Sequence, residues 1–214
     1  AAPNMGRETI KSLVFIMAML NIRLGYWLPN PKYVGVMGRA RRQVTRVGPI
    51  YLIREMMGNL DEDSWNINLS DGGHIENLGV YELLRRECRL IIAADAERDK
   101  DLEFGGLAAV IRMAQIDMGI TIEMDGLEEI RSGRQHYALG TIRYKDGKIG
   151  KLIYLKSSLV ETDRLYEHVN AYVAHYKAKN SEFPHESTGD QFFDEEQFEC
   201  YRALGYEVTK SVFG

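Results

Sequence analysis

The chain has 214 residues, 45% of them hydrophobic and 27% charged, with a formal net charge of -4. That length carries a sizeable core, and the acidic balance excludes a general nucleic-acid binder, which needs a basic face. Two cysteines, Cys88 and Cys200, far apart and without C-x-x-C spacing, exclude a disulfide framework or a zinc ribbon and fit buried thiols in a reducing compartment.

In chain order, Ala1-Ala2-Pro3-Asn4-Met5-Gly6 lacks the charged region and cleavage site of a signal peptide, and the abrupt start reads as a fragment of a longer protein. Residues 8–24 read as a helix rich in Ile, Leu, Met and Phe. Its most apolar stretch, Leu13 to Leu20, is far short of the ~20 residues that cross a bilayer, so it reads as a buried or interfacial helix. Pro29 and Pro31 break the pattern. Arg39, Arg41, Arg42 and Arg46 form a basic cluster, read as a solvated face or as a patch toward anionic headgroups. Pro49 opens a short helix over Tyr51–Met57 that Gly58 stops.

Trp65, Ile67 and Leu69 alternate with polar residues, which predicts a strand over 65–70. It runs into Asp71-Gly72-Gly73, through which no strand continues easily. Asn77 reads as the N-cap of a helix over Leu78–Glu87, with Arg85, Arg86 and Arg89 near its negative end. Leu90–Ala94 is a continuous apolar run, expected of a strand buried on both faces. The unit reads as βαβ with a right-handed crossover. Leu107–Met118 then reads as a helix and Ile120–Met124 as a strand. His136–Tyr144 and Lys151–Lys156 read as a hairpin joined through Lys145-Asp146-Gly147-Lys148. Residues 162–178 place Leu165, Val169, Tyr172, Val173 and Tyr176 on one helical face, and a last helix spans about Asp194–Leu204. The pattern is α/β with no clear linker across residues 1–214.

Ser70-Asp71-Gly72-Gly73-His74-Ile75-Glu76-Asn77-Leu78-Gly79 is the segment that carries chemistry. It sets a carboxylate after a strand, two glycines that let the backbone turn tightly, and a helix start. On the residues alone, a site and a self-capping Asx turn at Asp71 stand about even. The Asp71-Gly72-Gly73 motif, then Glu76-Asn77-Leu78-Gly79, a short helix and Cys88–Ala96, resembles patatin-like phospholipases, in particular the bacterial branch related to cytosolic phospholipases. The opening residues 1–6 and the run Phe183–Thr188, Asp190–Phe193 and Phe198–Gly205 resemble the same group.

The resemblance implies a three-layer patatin-like fold with a mixed central sheet, this chain being its C-terminal portion. It implies a lipid acyl hydrolase of the phospholipase or lysophospholipase type that works by a Ser-Asp dyad without cofactor or metal. Asp71 is then the general base, with Gly72, Gly73 and Asn77 shaping its loop. The implied partner is a glycerophospholipid or another lipid ester at a membrane surface. The implied location is the cytoplasm, with membrane attachment through segments outside the chain.

The family's nucleophile lies in a G-x-S-x-G elbow. None of the nine serines here sits in one, so the chain is expected to supply the Asp and not the Ser. His74 and His185 are weak candidates for a triad. Asp95, Glu97, Asp99 and Asp101 read as a solvated acidic turn rather than a metal loop. Two other readings remain: a non-catalytic lipid- or partner-binding module of the same fold, and a phosphate- or nucleotide-binding domain using the Gly72-Gly73 loop. The second of these lacks G-x-G-x-x-G and a P-loop lysine.

Overall fold

The Asn30 side chain donates to the carbonyls of Glu62 and Ser64, at 2.7 and 2.9 Å, and its backbone N–H donates to Trp65 O at 2.9 Å. These bonds lock Tyr26–Pro29 (β1) against Asn66–Leu69 (β2) as an antiparallel ribbon, with Trp27 opposite Asn68 and Leu28 opposite Ile67. A one-turn helix, Pro31–Val34 (α1), follows β1. The computed structural model describes residues 26–34, 51, 53, 54, 57, 61–160, 171–187, 189 and 192–214. The helix expected over 8–24, the Arg39–Arg46 cluster and the first half of the helix expected over 162–178 lie outside them. Tyr51, Ile53 and Arg54 are helical, as expected for that segment.

The chain divides into two compact units, Ala1–Asn77 and Leu78–Gly214. In the second, the chain order is Val80–Arg85 (α2), Leu90–Asp95 (β3), Gly105–Met118 (α3), Thr121–Asp125 (β4), Leu127–Arg131 (α4), Tyr137–Arg143 (β5), Ile149–Lys156 (β6), Ala171–Lys179 (α5) and Glu195–Phe213 (α6). Its sheet runs β3-β6-β5-β4, parallel between β3 and β6 and antiparallel elsewhere, so the sheet is mixed and the class is α/β.

Helices cover both faces of that sheet. Ile91, Ala93, Ile122, Ala138, Ile142, Leu152 and Tyr154 point to one side and pack with Val80 and Leu84 of α2, Leu107, Val110 and Ala114 of α3 and Ile130 of α4. Leu155 points to the other side and packs with Val173 and Tyr176 of α5, Phe183, and Cys200, Leu204 and Val208 of α6. Period-2 alternation in the strands serves both layers at once.

Three expectations change. The βαβ unit is not formed among the described residues: β2 pairs with β1 in a two-stranded ribbon, while β3 pairs with β6. The alternating pattern marks a strand but does not choose its partner, and the Asn30 bonds choose β1. Next, β3 is not buried on both faces. It is an edge strand of the described sheet, and Leu90 and Ile92 stay 57% and 51% exposed. The helix after the Gly-Gly loop starts at Val80, capped by Gly79 at φ 68° rather than by Asn77. A left-handed residue at that point suits glycine, and it turns the chain into the helix without a side-chain cap.

Other expectations hold closely. The hairpin is β5–β6, closed by Tyr144 N–H to Lys148 O at 2.9 Å around Lys145-Asp146-Gly147, with Gly147 at φ 88°. A three-residue loop ending in a left-handed glycine matches strand twist. The last helix starts where expected, Asp194 accepting from Gln197 N–H at 2.7 Å, but runs to Phe213. Its apolar stripe continues past Gly205 through Val208, so one glycine does not end it. Cys200 is buried and Cys88 half-buried. Among the described residues, no helix is long and apolar enough to cross a membrane.

Candidate functional site

Asp71 follows the carboxyl end of β2 in extended conformation, φ -63° and ψ 131°. Its Oδ1 accepts from Gly73 N–H at 3.0 Å and caps a single 3-10 turn, Gly72–His74. Gly72 O accepts from Ile75 N–H at 2.9 Å and Glu76 N–H at 3.1 Å, closing the loop. Asp71 is therefore a capping residue as well as an exposed carboxylate. The two glycines differ. A Cβ on Gly73 would stand 2.5 Å from Asn77 Oδ1, whereas one on Gly72 would meet nothing within 4 Å. The structure thus brings Asp71, Gly73 and Asn77 together in one loop. The ribbon that carries them is antiparallel, so the rule placing sites at the carboxyl ends of parallel strands does not apply to Asp71.

That rule points instead to β3 and β6, the parallel pair, which end side by side at Asp95 and Lys156. Lys156 has no exposed surface, and Asp95 is 3% exposed. The Lys156 ammonium lies 3.0 Å from Asp95 Oδ1 and 3.8 Å from Asp99 Oδ2, and donates to Glu97 O at 3.1 Å. Asp95 Oδ1 also accepts from Glu97 N–H at 2.8 Å, and Oδ2 accepts from the Tyr154 hydroxyl. Burial, and next the Asp95 charge, push the Tyr154 hydroxyl far above the usual phenol range, so it stays a donor. Asp95 and Asp99 therefore belong to a buried ion cluster, not to a solvated acidic turn. Desolvated carboxylates require such a partner.

Asp99 also accepts from Glu103 N–H and Phe104 N–H, each at 2.9 Å. These bonds hold a turn in which Leu102 and Phe104 take left-handed φ of 50° and 56°. Non-glycine residues in that region cost on the order of 1 kcal/mol or more each and persist where surroundings fix them. Against this turn lies His185, whose Nδ1 accepts from Asp99 N–H at 3.4 Å. The accepting Nδ1 carries no proton, so the neutral ring presents Nε2–H as a donor. Burial, helped by the Lys156 charge, holds His185 below the usual imidazole pKa. A second buried pair, His136 Nδ1 and Ser158 Oγ, stands at 3.1 Å where β5 begins and β6 has just ended.

These groups border a cavity of about 490 Å³ reached by Ser158, His185, Lys100, Arg131, Lys177 and Glu182. Of its residues, the sequence reading weighed only His185, as a weak candidate for a triad. One signal was there: the Asp-Gly hairpin fixes the register Tyr137 with Leu155, which sets His136 opposite Lys156. Among the described residues no group of three or more His, Cys, Asp or Glu is arranged to hold a metal. Comparison with protein-family models, with curated proteins and with solved structures found no match for the chain, so the likeness to patatin-like phospholipases stands on the motif residues alone.

Proposed function

We propose that the chain contributes the Asp71 general base to a lipid acyl hydrolase of the patatin-like type. The observation that supports it is the exposed Asp71 carboxylate, which accepts a backbone bond from Gly73 after a strand, in a loop whose glycine lies against Asn77. In this reading a serine hydroxyl from outside these 214 residues hydrogen-bonds the carboxylate directly. Asp71 takes its proton as the oxygen attacks the ester carbonyl, then returns it to the leaving alcohol. In the second half-reaction Asp71 takes a proton from water, which attacks the acyl-enzyme, and the serine is regenerated. The rest of the patatin-like fold, beyond the α/β class, belongs to the same proposal.

A second reading has its own support. The same Gly73 bond makes Asp71 a cap, which is what a non-catalytic binding module would keep. A serine-directed fluorophosphonate distinguishes the two. The enzyme reading expects the intact protein to be labelled at a serine outside this chain, labelling to fall at least about tenfold in Asp71→Asn, and the 214-residue chain alone to stay unlabelled. Equal labelling of wild type and Asp71→Asn, or none in the intact protein, contradicts it.

A further inference from the structure

We propose that the cavity at the carboxyl ends of β3 and β6 is a binding site for a phosphate monoester. This does not depend on the role of Asp71, since every residue involved lies in the second unit. Its volume of about 490 Å³ falls within the usual ligand range of roughly 300–1,000 Å³.

The charge of the lining selects an anion. Lys100, Arg131 and Lys177 face the cavity against one carboxylate, Glu182, an excess of two positive charges (three minus one). Glu182 engages Lys100, and Arg131 reaches Glu128 at 2.7 Å outside the cavity. Lys177 differs from both: its ammonium donates to the carbonyls of Ser181 and Phe183, which order it without neutralising it. A half-buried ammonium positioned by two neutral acceptors retains its attraction for a ligand anion.

The neutral donors fit the same group. His185, whose Nδ1 accepts from Asp99 N–H, also lines the cavity. Ser181 adds a hydroxyl. The buried Lys156 is compensated by Asp95 and Asp99, neither of which lines the cavity. The carbonyls at the end of α4 are already bonded: Glu128 O by Ser132 N–H, Glu129 O by Arg134 N–H and Ile130 O by Gly133 N–H. A phosphate offers more acceptor oxygens to these donors than a single carboxylate does, and Lys177 meets its charge. Leu102 and Leu159 leave room for a short apolar portion on the ester.

The test is calorimetric titration of the 214-residue chain with inorganic phosphate and glycerol 3-phosphate. Co-sedimentation with phosphatidylcholine vesicles, with and without phosphatidic acid, runs beside it. Saturable binding in either arm is expected, the first indicating a soluble ester and the second a lipid headgroup. Lys177→Met should weaken it at least about tenfold, Lys177→Arg should restore most of it, and added salt should lower it. Because Lys177 also braces the 181–183 turn, Lys100→Gln with Ser132→Ala serves as a second variant of the lining, with urea midpoints measured for all. No saturable binding in either arm, or binding that both the Lys177→Met and the Lys100→Gln/Ser132→Ala proteins retain at wild-type strength, overturns the proposal.

Discussion

Asp71 commits one carboxylate oxygen to the Gly73 N–H, and Asn77 Oδ1 fills the place a Gly73 side chain would need. The two side chains and the glycine form one packed loop, so their substitutions should not add. Gly73→Ala must displace Asn77, while Gly72→Ala displaces nothing. We expect Gly72→Ala to change stability by less than about 0.5 kcal/mol. We also expect the Gly73→Ala/Asn77→Ala double variant to be no less stable than Asn77→Ala alone, because the obstruction is already gone. Urea denaturation of the four variants checks both. This much of the site was legible: aspartate, two glycines and asparagine in that order announce a tight turn. Which glycine is required was not, because that depends on where the Asn77 side chain falls.

At the scale of elements, the ends of β3 and β6 meet in a buried charge cluster. Removing only its cation leaves the Asp95 and Asp99 carboxylates uncompensated beside Tyr154. Lys156→Met should therefore destabilise by roughly 3–5 kcal/mol, and Lys156→Met combined with Asp95→Asn by clearly less. Equal losses in the two proteins, read from urea midpoints, would mean that the pair is not coupled. His185, packed against the same turn, gives a pH signature. Its folded pKa lies below the ordinary imidazole value of about 6.5, so the folded state binds fewer protons than the unfolded chain. Its contribution is complete above about pH 6.5 and is lost as pH falls through the lower folded pKa. His185→Gln should flatten the fall in stability just below pH 6.5, and an unchanged slope would remove His185 as its source.

The same elements show where local pattern stops being informative. Alternation at Trp65–Leu69 marked β2, and Asp-Gly at 146–147 marked the β5–β6 turn, both from neighbours in sequence. The partner of β2 is set by Asn30 reaching the 62–64 turn, more than thirty residues away, and no periodicity carries that. Leu90–Ala94 looked like an interior strand because every residue is apolar. Its position at the edge of the sheet depends on the order β3-β6-β5-β4. Asp95–Asp101 looked solvated because a string of acids usually is. A lysine 61 residues after Asp95, directly across a parallel ladder, reverses that for Asp95 and Asp99.

For the whole molecule, two compact units carry two separate candidates for function: the Asp71 loop in residues 1–77 and the cationic cavity in residues 78–214. The α/β class and most elements of the second unit followed from composition and spacing. The cavity did not, because its walls come from five stretches spread between Lys100 and His185. The central claim concerns Asp71, and Asp71→Asn tests it best: the amide is nearly isosteric and keeps an acceptor oxygen for Gly73 N–H, yet cannot take a proton near neutral pH. Asp101→Asn, an exposed position, is the control, since Asp95 is buried in an ion pair and its substitution would itself change stability. The measurement is lipid-ester hydrolysis by the intact protein, with the unfolding midpoint recorded for each variant. The account predicts a loss of about 10²–10⁴-fold in turnover for Asp71→Asn at an unchanged midpoint, with Asp101→Asn like wild type. Turnover that survives Asp71→Asn, or that falls only in step with the midpoint, would contradict it and leave Asp71 as the cap of its turn.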